Sequence, residues 1–331
     1  MGSGTDRRYD LNDLNDRPGI TPRSGSGAMR GIVMMLAASL LVTANDALVK
    51  LALGAAGSAE VLFFRGLFAL LALLIYAAIS GQFGCLLPRC WRLSVGLAGL
   101  AVLSLFLFTY ALNFMTLAAA VMLAYLSPIF VALLAPLMLG ETIGRHQWLA
   151  VIISFIGVGL ITTPEMALTG DAARWVLVLP VLVAVIIALR DLITRQHIGG
   201  EHVLALSVMV QVMSVAAAGL AFSPEWLAPP PRQLALYALC GVIVTAGAAG
   251  MIAALQHGTV TSLSTLKYSC VVWAALIGWL VFAEPLSLSA MAGGALIIGG
   301  GALSSASPAC SVAACATPPA ARSRNRPNFT S

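Results

Sequence analysis

The sequence predicts an all-α, polytopic membrane protein: ten transmembrane helices arranged as two inverted five-helix repeats. Three observations predict it. Of 331 residues, 60% are hydrophobic and 9% charged, whereas a soluble domain carries about 25% charged residues. Apolar runs long enough to cross a hydrocarbon core of about 30 Å recur along the chain. The second half also repeats the first at an offset of 143 residues. Too few polar side chains remain to cover a water-facing surface, so the apolar surface must face lipid or other helices.

The ends differ from the middle. Residues 1–29 are rich in Gly, Asp, Asn and Arg, and residues 305–331 in Ser, Ala, Pro and Arg. Neither buries enough apolar area to offset its ordering entropy, and both are expected to be disordered cytoplasmic tails. Between them the spans are 30–53, 59–80, 93–112, 115–139, 147–164, 173–190, 203–222, 234–255, 259–282 and 286–304. The runs stay apolar too long for strands of a membrane barrel, which alternate over about ten residues. The first run lies too far from the start, and is too long, to be a cleaved signal peptide. Helix kinks are expected at Pro128, Pro136 and Pro180. Gly157, Gly159, Gly293, Gly294 and Gly299 to Gly301 should bring the fifth and tenth spans close together, with a homodimer through that face as the second use.

Charge sets the orientation. Arg residues cluster in the tails and in the loops containing Arg89, Arg92, Arg145, Arg190 and Arg195, while the opposite loops hold only Arg174 and Arg232. Positive residues are retained in the cytoplasm, so both termini are placed inside a bacterial inner membrane. The net charge of +5 forms no basic stripe, which argues against nucleic acid.

Two repeats are read from costly matches. Tyr125 falls on Tyr268 and Glu141 on Glu284, and Asp46-Ala-Leu-Val-Lys50 is echoed by Asp191-Leu-Ile-Thr-Arg195. Five is odd, so the second copy, residues 173–304, enters the membrane inverted relative to residues 30–164; symmetric rocking of such repeats gives alternating access.

The run Tyr110-Ala-Leu, then Leu-Ala-Ala-Ala-Val-Met-Leu-Ala-Tyr-Leu-Ser-Pro128-Ile-Phe, Leu139-Gly-Glu141, Trp148 and Gly157-Val-Gly-Leu-Ile resembles the EamA domain of the drug/metabolite transporter superfamily. Asn45-Asp-Ala-Leu-Val-Lys50 and Phe63-Phe-Arg65 are similar to a bacterial subgroup that includes S-adenosylmethionine and riboflavin transporters. The resemblance covers about residues 30–304. It implies a ten-helix secondary transporter and is weak for substrate. The second copy departs from it, with Val271 at the place of Pro128 and no match for Arg65.

A charge near the bilayer centre costs at least about 2.5–3.5 kcal/mol, so each one needs a partner, a wet cavity or a route to the surface. Asp46 and Arg65 lie at matching depth, roughly 10 Å below one surface. They read either as a structural ion pair or as a coupling or gating pair. Lys50 should reach outward while supporting the same cluster, and with Asp46 it is assigned to coupling or gating. Lys267 lies about 12 Å deep with no acid nearby in sequence. With Tyr268, Tyr125, Arg65 and Tyr110 it is assigned to substrate binding, the rings and hydroxyls facing a planar or cationic ligand. Ordinary helix packing is the alternative for each Tyr. Glu141 and Glu284 should cap or anchor the start of the helix that follows each of them.

No Walker loop, His-Glu-x-x-His or Gly-x-Ser-x-Gly is present, so no nucleotide-driven pump, metal hydrolase or serine hydrolase is supported and no cofactor is expected. Six Cys and four His lack metal-ligand spacing. The reading is therefore a secondary transporter of a small polar or amphipathic metabolite, not an enzyme, with membrane lipids as its surroundings. Surplus positive charge near Asp46 favours a substrate with an anionic group. A lipid-handling flippase or a passive channel on the same fold is the competing class.

Overall fold

The computed structural model describes residues 25–306 apart from 82–83, 85, 89, 140–144, 170–175, 197–202, 222–225, 227–228, 256–265, 267 and 285–286. Every regular element among the described residues is helical: α1 (Gly25–Leu53), α2 (Ser58–Ile79), α3 (Trp91–Ala111), α4 (Leu117–Ala124), α5 (Ser127–Leu139), α6 (Arg145–Thr169), α7 (Val178–Gln196), α8 (Val203–Gly219), α9 (Pro231–Leu255), α10 (Ser269–Phe282) and α11 (Leu288–Ala306). Five apolar stretches in this set are long enough to cross a membrane: Met29–Leu53, Ser58–Ile79, Trp91–Ala111, Leu117–Ala135 and Pro231–Met251. The protein is a polytopic membrane protein. The terminal residues 1–24 and 307–331, Glu141, Lys267, His197, His202 and His257 lie outside the described residues.

Two helix expectations need correction. The fourth span is two helices, not one kinked helix. α4 closes on Tyr125, whose N–H donates to the Val121 carbonyl at 3.0 Å, and α5 opens after Leu126, whose carbonyl accepts from Ile129 and Phe130. Pro128 stands in the first turn of α5, where its missing N–H removes no ladder bond, so the chain breaks and restarts. Pro180 does not kink its helix either. α7 begins at Val178, which puts Pro180 in the first turn as well.

Caps explain several boundaries. Thr116 starts α4, its hydroxyl accepting from the Ala119 N–H at 3.2 Å. α10 ends on Ala283, a left-handed residue at φ 50°, after which the Glu284 N–H reaches back to the Gly278 carbonyl at 3.1 Å.

The packing is symmetric under exchange of the halves. α1 lies on α9 as α3 lies on α7, α2 on α9 as α3 on α8, and α1 on α10 as α5 on α7. α6 pairs with α11 and α2 with α8, each with its own repeat mate, and α4 packs on α10. At the α6–α11 seam the backbones touch. A Cβ on Gly157 would stand 2.6 Å from the Gly293 carbonyl oxygen, and one on Gly293 2.5 Å from that of Gly157. Gly159 and Gly299 have open space where a Cβ would go, so they do not belong to that contact.

Leu117, Leu123, Ile129, Ile161 and Ile297 are buried in one core drawn from both halves. Leu71, Ile75, Ile152, Phe155, Trp279 and Leu280 are exposed. A helical chain that is apolar both inside and outside is built for lipid, where backbone groups must be satisfied within the helices.

Candidate functional site

α1 carries a polar stripe through this apolar interior. Ser39, Thr43, Asp46 and Lys50 are spaced by four, three and four residues, which places them on one face of a helix. That face meets the second repeat. The Ser39 hydroxyl lies 2.6 Å from that of Ser269, and Thr43 Oγ1 is within 3.5 Å of the Cys270 carbonyl. The Cys270 thiol in turn reaches the Ser39 carbonyl at 3.6 Å. At the far end, Lys50 is ion-paired with Glu284. α1 and α10 therefore run in the same direction, held by contacts from Ser39 to Lys50, about 16 Å of rise.

Halfway along this face sits a buried polar relay. Arg65 of α2 is 6% exposed and Asn45 of α1 is 1% exposed. Arg65 Nε donates to Asn45 Oδ1 at 3.2 Å, and Asn45 Nδ2 donates to Asp46 Oδ1 at 3.2 Å. The expected Asp46–Arg65 ion pair is corrected: among the described residues the two charges are joined through an amide and make no direct bridge. Asn45 is uncharged, so the cost of an intramembrane charge does not single it out; its place directly beside Asp46 is the signal the sequence offers.

The repeat-matched tyrosines meet. Tyr125 closes α4 and Tyr268 precedes α10, and their rings stand 5.8 Å apart at 52°. Asp46 is near enough to interact electrostatically with both Arg65 and Tyr125. Arg65, Asn45, Asp46, Tyr125 and Tyr268 thus form one polar and aromatic cluster between α1, α2, α4 and α10. Tyr110 is 42% exposed, with its ring 5.3 Å from that of Phe114.

Lys50 does not support the Asp46 cluster, a second correction. Its ammonium goes to Glu284, donates to the Met115 carbonyl at 2.7 Å and lies 5.3 Å from the centroid of the Phe282 ring. Glu284 is likewise not the cap of the helix that follows it. Both of its oxygens accept from the Leu117 N–H, at 3.1 and 3.0 Å, so it caps α4 in the other repeat. The carboxylate does meet the positive end of a helix dipole, but of α4, because packing brings the end of α10 to the start of α4.

A second polar contact staples α2 to α9. Tyr237, fully buried, stacks on Phe64 at 5.4 Å, and its hydroxyl donates to Glu60 at 3.1 Å.

Chemically, the cluster offers a guanidinium and a carboxylate in a largely apolar surround. The only protein hydrogen bond of Arg65 among the described residues is made by Nε. A guanidinium fork of this kind matches a carboxylate or phosphate.

The EamA-like transporter family matches residues 29–163 and 173–306, one match for each half. The chain is 29% identical over 270 residues to the pseudopaline exporter CntI of Pseudomonas aeruginosa, covering 81% of this chain and 93% of that protein. It is 24% identical over 271 residues to an S-adenosylmethionine uptake transporter of Rickettsia felis, covering 82% and 90%. It is 33% identical to a riboflavin transporter of Rhizobium johnstonii over 125 residues, covering 38% and 40%. A crystal structure at 19% identity, covering 84% of this chain and 96% of the other, superimposes with a TM-score of 0.58 and shares the fold.

Proposed function

The chain belongs to the EamA-like transporter family, and from that premise we propose that it carries a small metabolite with an anionic group across the bacterial inner membrane by alternating access. It is a secondary transporter and not an enzyme. The observation that carries the substrate reading is the buried Arg65, held through Nε by Asn45 and making no other hydrogen bond among the described residues. A charge in this position is too costly to keep without a use. A carboxylate or other anion would bind the Arg65 fork, a cationic or hydrogen-bonding group would face Asp46, and Tyr125 and Tyr268 would cover an apolar or planar part. Lys267, next to Tyr268 in sequence, is proposed as a second contact for the anion. Asp46 is proposed as the residue that couples occupancy to conformational change.

The relatives include an exporter and an uptake transporter, so transport is assayed in both directions. The direct test is a thermal-shift screen of the purified protein with amino acids, nucleosides, S-adenosylmethionine and riboflavin. At least one compound with an anionic group should stabilise the parent, and Arg65→Gln should lose that stabilisation while remaining folded. Lys267→Ala should lose it as well, and Lys267→Arg should keep part. Equal stabilisation of the parent and both loss variants would reject the site. Saturable uptake with counterflow in liposomes separates a transporter from a passive channel, and a scrambling assay separates it from a flippase.

A further inference from the structure

The transporter reading, on which this inference rests, requires that each mouth of the path be closed in turn. We propose that the Lys50–Glu284 ion pair is a latch that closes the mouth on the side of the α1 C-terminus. Lys50 lies one helical turn beyond Asp46, about 6 Å nearer that mouth. The pair joins three chain segments from the two repeats: the last turn of α1, the turn before α4 through the Met115 carbonyl, and the end of α10. These same segments flank the polar cluster below.

The local construction is specific. Glu284 can fold back over α10 because Ala283 adopts a left-handed conformation and because residue 278 is glycine. A Cβ at Gly278 would stand 2.6 Å from Glu284 Oε2. The carboxylate then serves two donors at once, the Lys50 ammonium and the Leu117 N–H. Thr116 already satisfies the Ala119 N–H, so releasing Glu284 leaves the start of α4 with a cap of its own.

Both partners are poised for release. Their side chains are 16% and 10% exposed, so water can replace the pair as it opens, unlike the dry Gly157–Gly293 seam of α6 and α11. An ion pair at helix ends beside an apolar ring, Phe282, is strong when closed and is solvated when open. A staple meant to be permanent is better made of packed apolar groups, as on the α6–α11 side.

The test needs no substrate. With Cys85, Cys90, Cys240, Cys310 and Cys315 replaced by Ala, Cys270 remains, buried beside the cluster at 2% exposure. The full-length protein in liposomes is treated with a membrane-impermeant methanethiosulfonate from each face in turn. Lys50→Gln and Glu284→Gln should each speed labelling of Cys270 from one face by about tenfold, the change that about 1.4 kcal/mol of lost closure produces. Lys50→Arg, which keeps the charge, should label more slowly than either. Where Glu284→Gln fails to fold, Lys50→Gln carries the test, because it leaves the α4 cap in place. Unchanged rates, or rates raised equally from both faces, would overturn the latch. Unchanged labelling in a protein that still moves metabolite rejects the latch and keeps the transporter. One-sided acceleration in a protein that moves nothing counts against the transporter reading instead.

Discussion

Arg65 and Asn45 meet as guanidinium and amide: Arg65 Nε donates to Asn45 Oδ1 at 3.2 Å, and the same amide carries the contact on to Asp46 at 3.2 Å. Removing the amide strands both neighbours. Asn45→Ala should therefore cost about 1–3 kcal/mol, the penalty for leaving buried polar groups unsatisfied. Asp46→Asn should cost less, since Asp46 has no direct bridge to Arg65 to lose. Thermal melts of the two purified variants decide it, and a larger loss in Asp46→Asn would mean that the charges pair directly.

The Tyr125–Tyr268 contact predicts a coupling between the repeats. Rings 5.8 Å apart and tilted by 52° are in the range where aromatic pairs contribute about 0.5–1.5 kcal/mol beyond burial. A double-mutant cycle with Tyr125→Leu and Tyr268→Leu should return a coupling of that size. Strict additivity would show that the rings do not meet in the membrane.

At the α6–α11 seam, size rather than charge is tested. Gly157→Ala or Gly293→Ala drives a methyl group into backbone, which should cost about 1–3 kcal/mol or separate the helices. Gly159→Ala and Gly299→Ala place the methyl in open space and should be neutral or slightly stabilising, since alanine is the better helix former by about 1 kcal/mol. Melting temperatures of the four variants give the ordering directly.

The turn at the end of α10 makes opposite predictions at two neighbouring positions. Gly278→Ala displaces the Glu284 carboxylate and should reproduce the labelling behaviour of Glu284→Gln. Ala283→Gly relieves a left-handed alanine and should stabilise by roughly 1 kcal/mol, with the labelling rate held at the parent value. Measuring the melt and the Cys270 labelling rate on both variants separates the strain of the turn from the position of the carboxylate.

Orientation is tested at the ends of two successive helices. Thr169 closes α6 and Gln196 closes α7. Single cysteines there should be labelled from opposite sides, Thr169→Cys from outside and Gln196→Cys from the cytoplasm. Labelling of both from one side would remove the inverted arrangement.

Much of this protein is legible in one dimension. Run length and hydropathy name helices and a membrane, because the bilayer imposes a fixed thickness on any segment that crosses it. Tyr125 with Tyr268 and Glu141 with Glu284 mark the repeat, because duplicated units keep their spacing in the chain. What could not be read is which helix end meets which. Lys50 finds Glu284 across 234 residues, Glu284 caps α4 across 167 residues, and the fourth span breaks at Tyr125 where a kink was expected. Spacing within a helix ranks Asp46 as the neighbour of Lys50. Packing of α1 against α10 supplies a carboxylate already aimed at the helix end, and an ammonium that can reach both that carboxylate and the Met115 carbonyl is satisfied there. The sequence thus determined that the elements are apolar helices and that the two halves repeat, and the tertiary structure alone decided the partners of Arg65, Lys50 and Glu284.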